Sequence, residues 1–271
     1  MTTQTVTNPT RSNIRASKYT GQQGEILWVP PHNLSAFNPR RIGVSDIDLE
    51  ATGTVQAYPV GTALDDAWGR RFRYVKFGGT VAQNDLVAAE APAGDWDEVD
   101  IVAAVAGDTT VVTTTSHTVA VNEWAGGWLG SEALVSGMLY PIIGNAVASA
   151  AVVTIYLGQP IRTAIAAGAD LTVLKSPYMD VVQAPITTIA AQPVGVCVGS
   201  GAVDDDFGWL QTRGPGKVLA AASLVAGNTA VALLSAAGNV GPASDATKVT
   251  VGSVMNVGAS GEWAFVYLML E

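Results

Sequence analysis

Apolar and polar positions alternate over short stretches rather than over long helical faces. In Arg71-Phe72-Arg73-Tyr74-Val75-Lys76-Phe77, successive side chains fall on opposite sides, the period of a β-strand. Further runs share this texture, among them EILWVP, GTVQAYPV, EVDIVAAV, TTVVTTTSHTVAV, VVTIYLGQ, PVGVCV, FGWLQTR, KVTVGSVMNV and EWAFVYLML. All are rich in Val, Thr, Ile and aromatic residues, which suit a pleated and half-buried surface. Twenty-nine Gly and thirteen Pro punctuate them, as turns between strands do. No long stretch keeps a 3.6-residue apolar period with caps at both ends. The Ala-rich stretches 146–151 and 219–226 are broken by Gly and followed by β-branched residues, so they read as loops or short helices at most. The pattern predicts an all-β chain, a β-sandwich or barrel-like modules.

Three divisions are expected. Residues 1–20 read as an extended arm, rich in Thr, Ser and Asn and carrying Arg11, Arg15 and Lys18 without an acid. Residues 21–215 read as the main β domain, and 216–271 as a C-terminal β segment that could pack with it. There is also an internal echo. AIAAGADLTVL (164–174) resembles SLVAGNTAVALL (223–234), with GGTVAQNDLVAA (78–89) a poorer third copy. The first two are each followed by a Val-Gly strand, an acidic or Gly turn, and a strand led by Trp209 or Trp263. A real echo would mean one β unit used more than once; chance similarity in a low-diversity composition is the alternative.

Composition changes the picture. Apolar residues make up 48% and charged residues 14% of the 271, against roughly 25% charged in an ordinary soluble domain. So little charge suggests that much of the surface meets other chains. Net charge is −9: residues 1–76 hold nine bases and six acids, whereas the rest hold five bases and seventeen acids. The acidic bulk argues against a nucleic-acid partner, and the basic N-terminal portion suits an acidic one. Arg70, Arg71 and Arg73 also read as the solvated side of one strand. No run of about 18 apolar residues predicts a membrane span. The first residues lack the apolar region of a secretory signal.

Candidate chemistry is sparse. Cys197 is the single cysteine, so no intrachain disulfide or Cys-based zinc site is expected, and its run reads as core. His32 and His117 are the two histidines, and neither has a second His at metal-ligand spacing. RGPGKVLA lacks the first Gly of a phosphate loop and has Val218 where a hydroxyl must meet magnesium. Asp206-Phe207-Gly208 has no accompanying kinase motif. Asp46, Asp48 and Glu50 would share one face if their run is a strand, and Asp204-Asp205-Asp206 forms an acidic turn. Either set has the oxygen ligands for calcium, without the spacing of a calcium loop. Asp95, Asp97, Glu98 and Asp100 read as a charged hairpin tip. Of seven tryptophans, Trp124 and Trp128 are the pair expected to be exposed for sugar stacking, whereas Trp28, Trp209 and Trp263 lie in apolar strand runs where core or subunit-contact packing is the ordinary role. No cofactor and no catalytic residue is expected.

With these residues in view, the chain resembles the head decoration or cement proteins of tailed phages. The likeness lies in AYPVGTALDDAWGRRFRYVKFGGTVAQNDLVAAE (57–90), in QPVGVCVGSGAVDDDFGWLQTRGPGKVLAA (192–221), and in the Val-Gly…Trp ending at 251–270. It is one of phrasing, with no single specific motif, and many cement proteins are shorter. The resemblance implies a non-enzymatic virion protein assembled in the host cytoplasm and bound to the capsid exterior. It implies the major capsid protein as partner and a homotrimer. Arg11, Arg15, Lys18, Arg40 and Arg41 are the cations expected at the capsid interface. Other readings are a major capsid or tail protein, for which no spine-helix sequence is found, and a receptor- or glycan-binding spike resting on the tryptophans. A carboxylate-pair glycosidase is the least implausible enzyme.

Overall fold

A computed structural model describes residues 17–20, 25–29, 47–91, 99–114, 116–131, 139–169, 171–185, 191–232, 236–243 and 249–271. The described residues are all-β, with no helix among them, and build antiparallel sheets that include one curled like half a barrel. It divides into two compact units. One is built on the described residues of Pro92–Ser176, the other on those of Ser17–Val29, Ala36–Ala91 and Pro177–Glu271.

The larger unit starts with β1 (Ser17–Thr20), β2 (Ile26–Val29), β3 (Ala63–Asp65), β4 (Arg71–Lys76) and β5 (Leu86–Ala88). In the smaller unit follow β6 (Thr110–Val112), β7 (His117–Val119), β8 (Trp128–Ser131), β9 (Leu139–Asn145), β10 (Ala148–Ala151), β11 (Thr154–Leu157) and β12 (Leu171–Leu174). The chain then returns through β13 (Val182–Gln183), β14 (Pro193–Cys197), β15 (Phe207–Leu219), β16 (Thr229–Ala232), β17 (Val240–Pro242), β18 (Thr250–Val254) and β19 (Trp263–Met269). The main path of the large sheet is β1-β2-β3-β4-β15-β19-β18-β16-β17, with β14, β5 and β13 branching from β15. The smaller unit holds the sheet β12-β8-β9-β11-β6 and the pair β10-β7.

Three details add to the sequence reading. Ser17–Thr20, expected to end a free arm, pair with β2, Lys18 opposite Trp28. Ala148–Ala151 form a strand rather than a loop or helix. β15 runs unbroken through position 215, so both sides of the expected division lie in one sheet.

The echo has a structural basis: a turn of one type recurs among the described residues, and six copies of it form facing pairs. In 82–85, 105–108, 166–169, 203–206, 225–228 and 259–262, the fourth N–H donates to the first carbonyl at 3.1–3.3 Å. The third residue is left-handed, with φ from 64° to 103°: Asn84, Gly107, Gly168, Asp205, Gly227 and Gly261. A left-handed third position defines a type II turn and favours Gly or Asn. Four copies add a lock, because the carboxylates of Asp85, Asp108, Asp206 and Glu262 accept the N–H of the first turn residue at 2.8–3.3 Å.

The turns associate in pairs. Val81 faces Ala202, Ala104 faces Ile165 and Leu224 faces Gly258 as isolated bridges. Within each pair, the left-handed N–H of one turn reaches the strand leading to the other: Asn84 to Cys197 and Asp205 to Phe77, Gly107 to Ile161 and Gly168 to Ile101, Gly227 to Val254 and Gly261 to Ala220, at 2.7–3.1 Å. Three copies of one β unit result. The first uses β4, β5, β14 and the start of β15, and the third uses the end of β15 with β16, β18 and β19. The copy in the smaller unit uses β6, β11 and β12. Register agrees residue for residue: Lys76 opposite Phe207 matches Leu219 opposite Trp263, and Leu86 opposite Val196 matches Thr229 opposite Ser253. The sequence placed the 164–174 copy before PVGVCV; in the fold, 78–89 is the partner of that stretch.

Each unit has its own apolar core. Ile101, Trp124, Ile142 and Ile155 fill the smaller unit. Val218, Val251, Val266 and Leu268 line the third copy, and Val75, Phe77, Cys197 and Leu210 line the first. Cys197 is fully buried, and burial pushes its thiol up to about 11.

Candidate binding surface

β19 reads Trp263-Ala264-Phe265-Val266-Tyr267-Leu268-Met269, with alternate residues on opposite faces. Ala264, Val266 and Leu268 are fully buried. The other set points outward although it is equally apolar: Trp263 is 43%, Phe265 48%, Tyr267 37% and Met269 52% exposed. The neighbouring strand β15 places Leu219, Lys217, Pro215 and Arg213 opposite them. On the other side Ser253 lies opposite Tyr267, and the half-exposed Met255 donates its N–H to the Phe265 carbonyl at 2.8 Å.

Two glycines hold β19 at this depth. A Cβ at Gly216 would lie 2.8 Å from Leu268 Cδ1, and one at Gly252 would lie 2.1 Å from the Tyr267 carbonyl oxygen. The row is therefore fixed on a rigid sheet. Its charge is the reverse of the chain's. Arg213 and Lys217 are exposed beside it, and neither forms a salt bridge with a described residue. Lys217 Nζ sits 4.6 Å from the Trp263 ring centroid, a cation–π contact.

The equivalent row in the first copy is Phe207, Trp209 and Gln211, and it is covered. Residues 47–62 cross it as an irregular strap. Gly53 exchanges both backbone hydrogen bonds with Phe207, at 3.1 and 2.8 Å. Tyr58 meets Trp209 with ring centroids 5.4 Å apart, and Tyr74 Oη accepts the Ala57 N–H at 3.0 Å. Burial pushes the Tyr58 hydroxyl up to about 12, with the neighbouring Tyr74 adding to the effect. Trp209 and Gln211 end 2% and 4% exposed. Where the strap stops, a cleft of about 400 Å³ opens, lined by Leu49, Glu50, Gln211, Lys217 and Phe265 among others. Gln211 Nε2 donates to the carbonyls of Arg213 and Pro215 at 3.1 and 2.8 Å.

The smaller unit carries a lesser apolar patch. Trp128 lies opposite Leu174, and both are nearly half exposed. Trp124, expected to be exposed beside Trp128, is buried in the core with the His117 ring 5.7 Å away edge-on. The expected sugar-stacking pair is thus a single tryptophan. Trp263, expected in core or subunit-contact packing, is not in the core and belongs to the bare row; Trp28 is part-exposed, its indole N–H on Asp65.

Of the cations expected at an interface, Arg11, Arg15, Arg40 and Arg41 lie outside the described residues, and Lys18 is placed by its backbone only. Asp46, His32, Asp95, Asp97 and Glu98 also lie outside them. Asp48 and Glu50 occupy an irregular stretch, the Glu50 N–H donating to Asp48 Oδ1 at 2.9 Å. Asp205 pairs with Lys76 at 2.8 Å and Asp206 is buried holding its own turn, so two of the three acids are used by the fold, while Asp204 is exposed. Among the described residues, no three His, Cys, Asp or Glu side chains are grouped to hold a metal, and no helix is long and apolar enough to cross a membrane. The β19 row escaped the sequence reading because both of its faces are apolar, which hides which one is bare. Comparison with known proteins finds no matching family model, no matching curated protein and no matching solved structure.

Proposed function

We propose that this chain is a virion structural protein that binds the outer surface of an icosahedral phage capsid and clamps neighbouring capsomers. The observation that carries the reading is the bare row Trp263, Phe265, Tyr267 and Met269 on a rigid sheet. Contiguous exposed apolar surface of this kind marks a site of contact with another macromolecule. Covering each half-exposed side chain is worth on the order of 1 kcal/mol by area, and a clamp repeats that gain at several capsomers through high effective concentration. The phrasing shared with decoration proteins at 57–90, 192–221 and 251–270 supports the same reading, as does the low charge content. Self-association into a trimer belongs to the proposal, since a trimer on a three-fold axis multiplies the contacts.

The test is sedimentation of the purified protein with undecorated capsids of the virus that encodes it. Co-sedimentation at micromolar concentration, saturating at a fixed ratio to the shell protein, is expected. A protein that stays in the supernatant rules the proposal out.

A further inference from the structure

The repeated unit supplies an internal control for the bare face. Phe207, Trp209 and Gln211 in the first copy correspond in register to Trp263, Phe265 and Tyr267 in the third. The inward residues correspond too: Leu210 and Val266 both face a core. One copy of the row is sealed by residues 47–62, and over the other no described segment lies. The sheet that carries a strap in one copy presents, in the other, a more aromatic row that no described residue covers.

We infer that an acidic, extended segment of the capsid shell protein lies across the outer face of β15, β19 and β18, as residues 47–62 lie across the first copy. The inference rests on the decoration reading above and names the partner's chemistry and seat. Three observations define the occupant. The internal strap is irregular and extended, anchored by the Gly53–Phe207 exchange and the Tyr58–Trp209 contact, so an apolar or aromatic anchor in an extended chain matches the row. Its charge is the second: 47–62 carries Asp48 and Glu50 and no Lys or Arg. The vacant copy displays Arg213 and Lys217 without a salt bridge to any described residue, in a chain of net charge −9, so the seat selects acids. Third, the cleft where the internal strap ends opens beside Phe265 and Lys217, giving the incoming segment room for one anchoring side chain. Gln211 lies in its lining, its amide nitrogen committed to the carbonyls of Arg213 and Pro215.

The experiment compares three intact proteins in the capsid sedimentation assay: wild type, the double variant Phe265→Ser with Tyr267→Ser, and the charge reversal Arg213→Glu with Lys217→Glu. Every substituted side chain points outward, and circular dichroism and thermal melting verify that the variants keep the wild-type fold. The first variant is expected to lose about tenfold or more in apparent affinity. The second should lose a comparable factor at low salt and less at high salt, because exposed charges are screened. Wild-type binding by both folded variants overturns the inference while leaving the decoration reading intact. Failure of the wild type to sediment removes both. If the serine variant instead breaks up a wild-type oligomer with capsid binding retained, a second copy of this chain occupies the face and the assignment to the shell protein is wrong.

Discussion

Gly227 sits at φ 86°, and a Cβ placed on it would touch nothing within 4 Å. Gly227→Ala therefore isolates the conformational cost of the left-handed position, and about 1–2 kcal/mol should be lost in urea unfolding. Asp206→Ala probes the lock of the same turn type. It leaves the Val203 N–H without its carboxylate acceptor and should cost about 1 kcal/mol. Asp65 gives a pH signature. Burial raises its carboxyl, but the two-pronged Arg71 contact at 2.6 and 3.0 Å and the Trp28 indole N–H more than offset this and hold it below the usual range. A depressed folded value stabilises above the unfolded value of about 3.9 and is lost as pH falls through the folded one. The stability gap between wild type and Asp65→Asn, about 1 kcal/mol or less for a pair this exposed, should be present at pH 7 and close below about pH 4. These residues were only partly legible beforehand. The acidic triplet was legible as a turn, with calcium ligation as a further option, but sequence does not show that Asp206 locks that turn or that Asp205 pairs with Lys76.

At the scale of the element, β19 depends on neighbours without side chains. Gly252→Ala puts a Cβ against the Tyr267 carbonyl and must push β18 from β19, costing about 2 kcal/mol or more. Gly53→Ala meets no atom within 4 Å and has no positive φ, so it should stay within about 0.5 kcal/mol of wild type. Paired melting curves of the two variants check both statements. Strand texture was readable from alternation in 71–77, and the all-β character followed from it. What alternation could not show was a strand such as 263–269, apolar on both faces, or Ala148–Ala151, whose composition favours helix while its pairing with β7 makes it a strand. Local propensity loses there to partners distant in sequence.

In the whole molecule, one β unit is used three times, and two of its copies share β15. This sharing explains why a boundary at 215 looked reasonable: the composition changes where one copy hands the strand to the next, at the register shift between Gln211 and Arg213 and the left-handed Gly214. The unit built on Pro92–Ser176 was invisible in sequence because its texture matches its surroundings. Its core stands on its own residues, so Ile155→Ala should cost about 2–5 kcal/mol. Hydrogen exchange should then quicken in β6, β9 and β11 while β15 and β19 keep their protection. The claim on which all of this converges is that the outward row of β19 is covered in the working assembly. A cryo-EM reconstruction of capsids carrying the bound protein reads it directly. The account predicts density of the shell protein running along Trp263, Phe265, Tyr267 and Met269; a particle on which that row faces open solvent, or to which the chain does not attach, contradicts it.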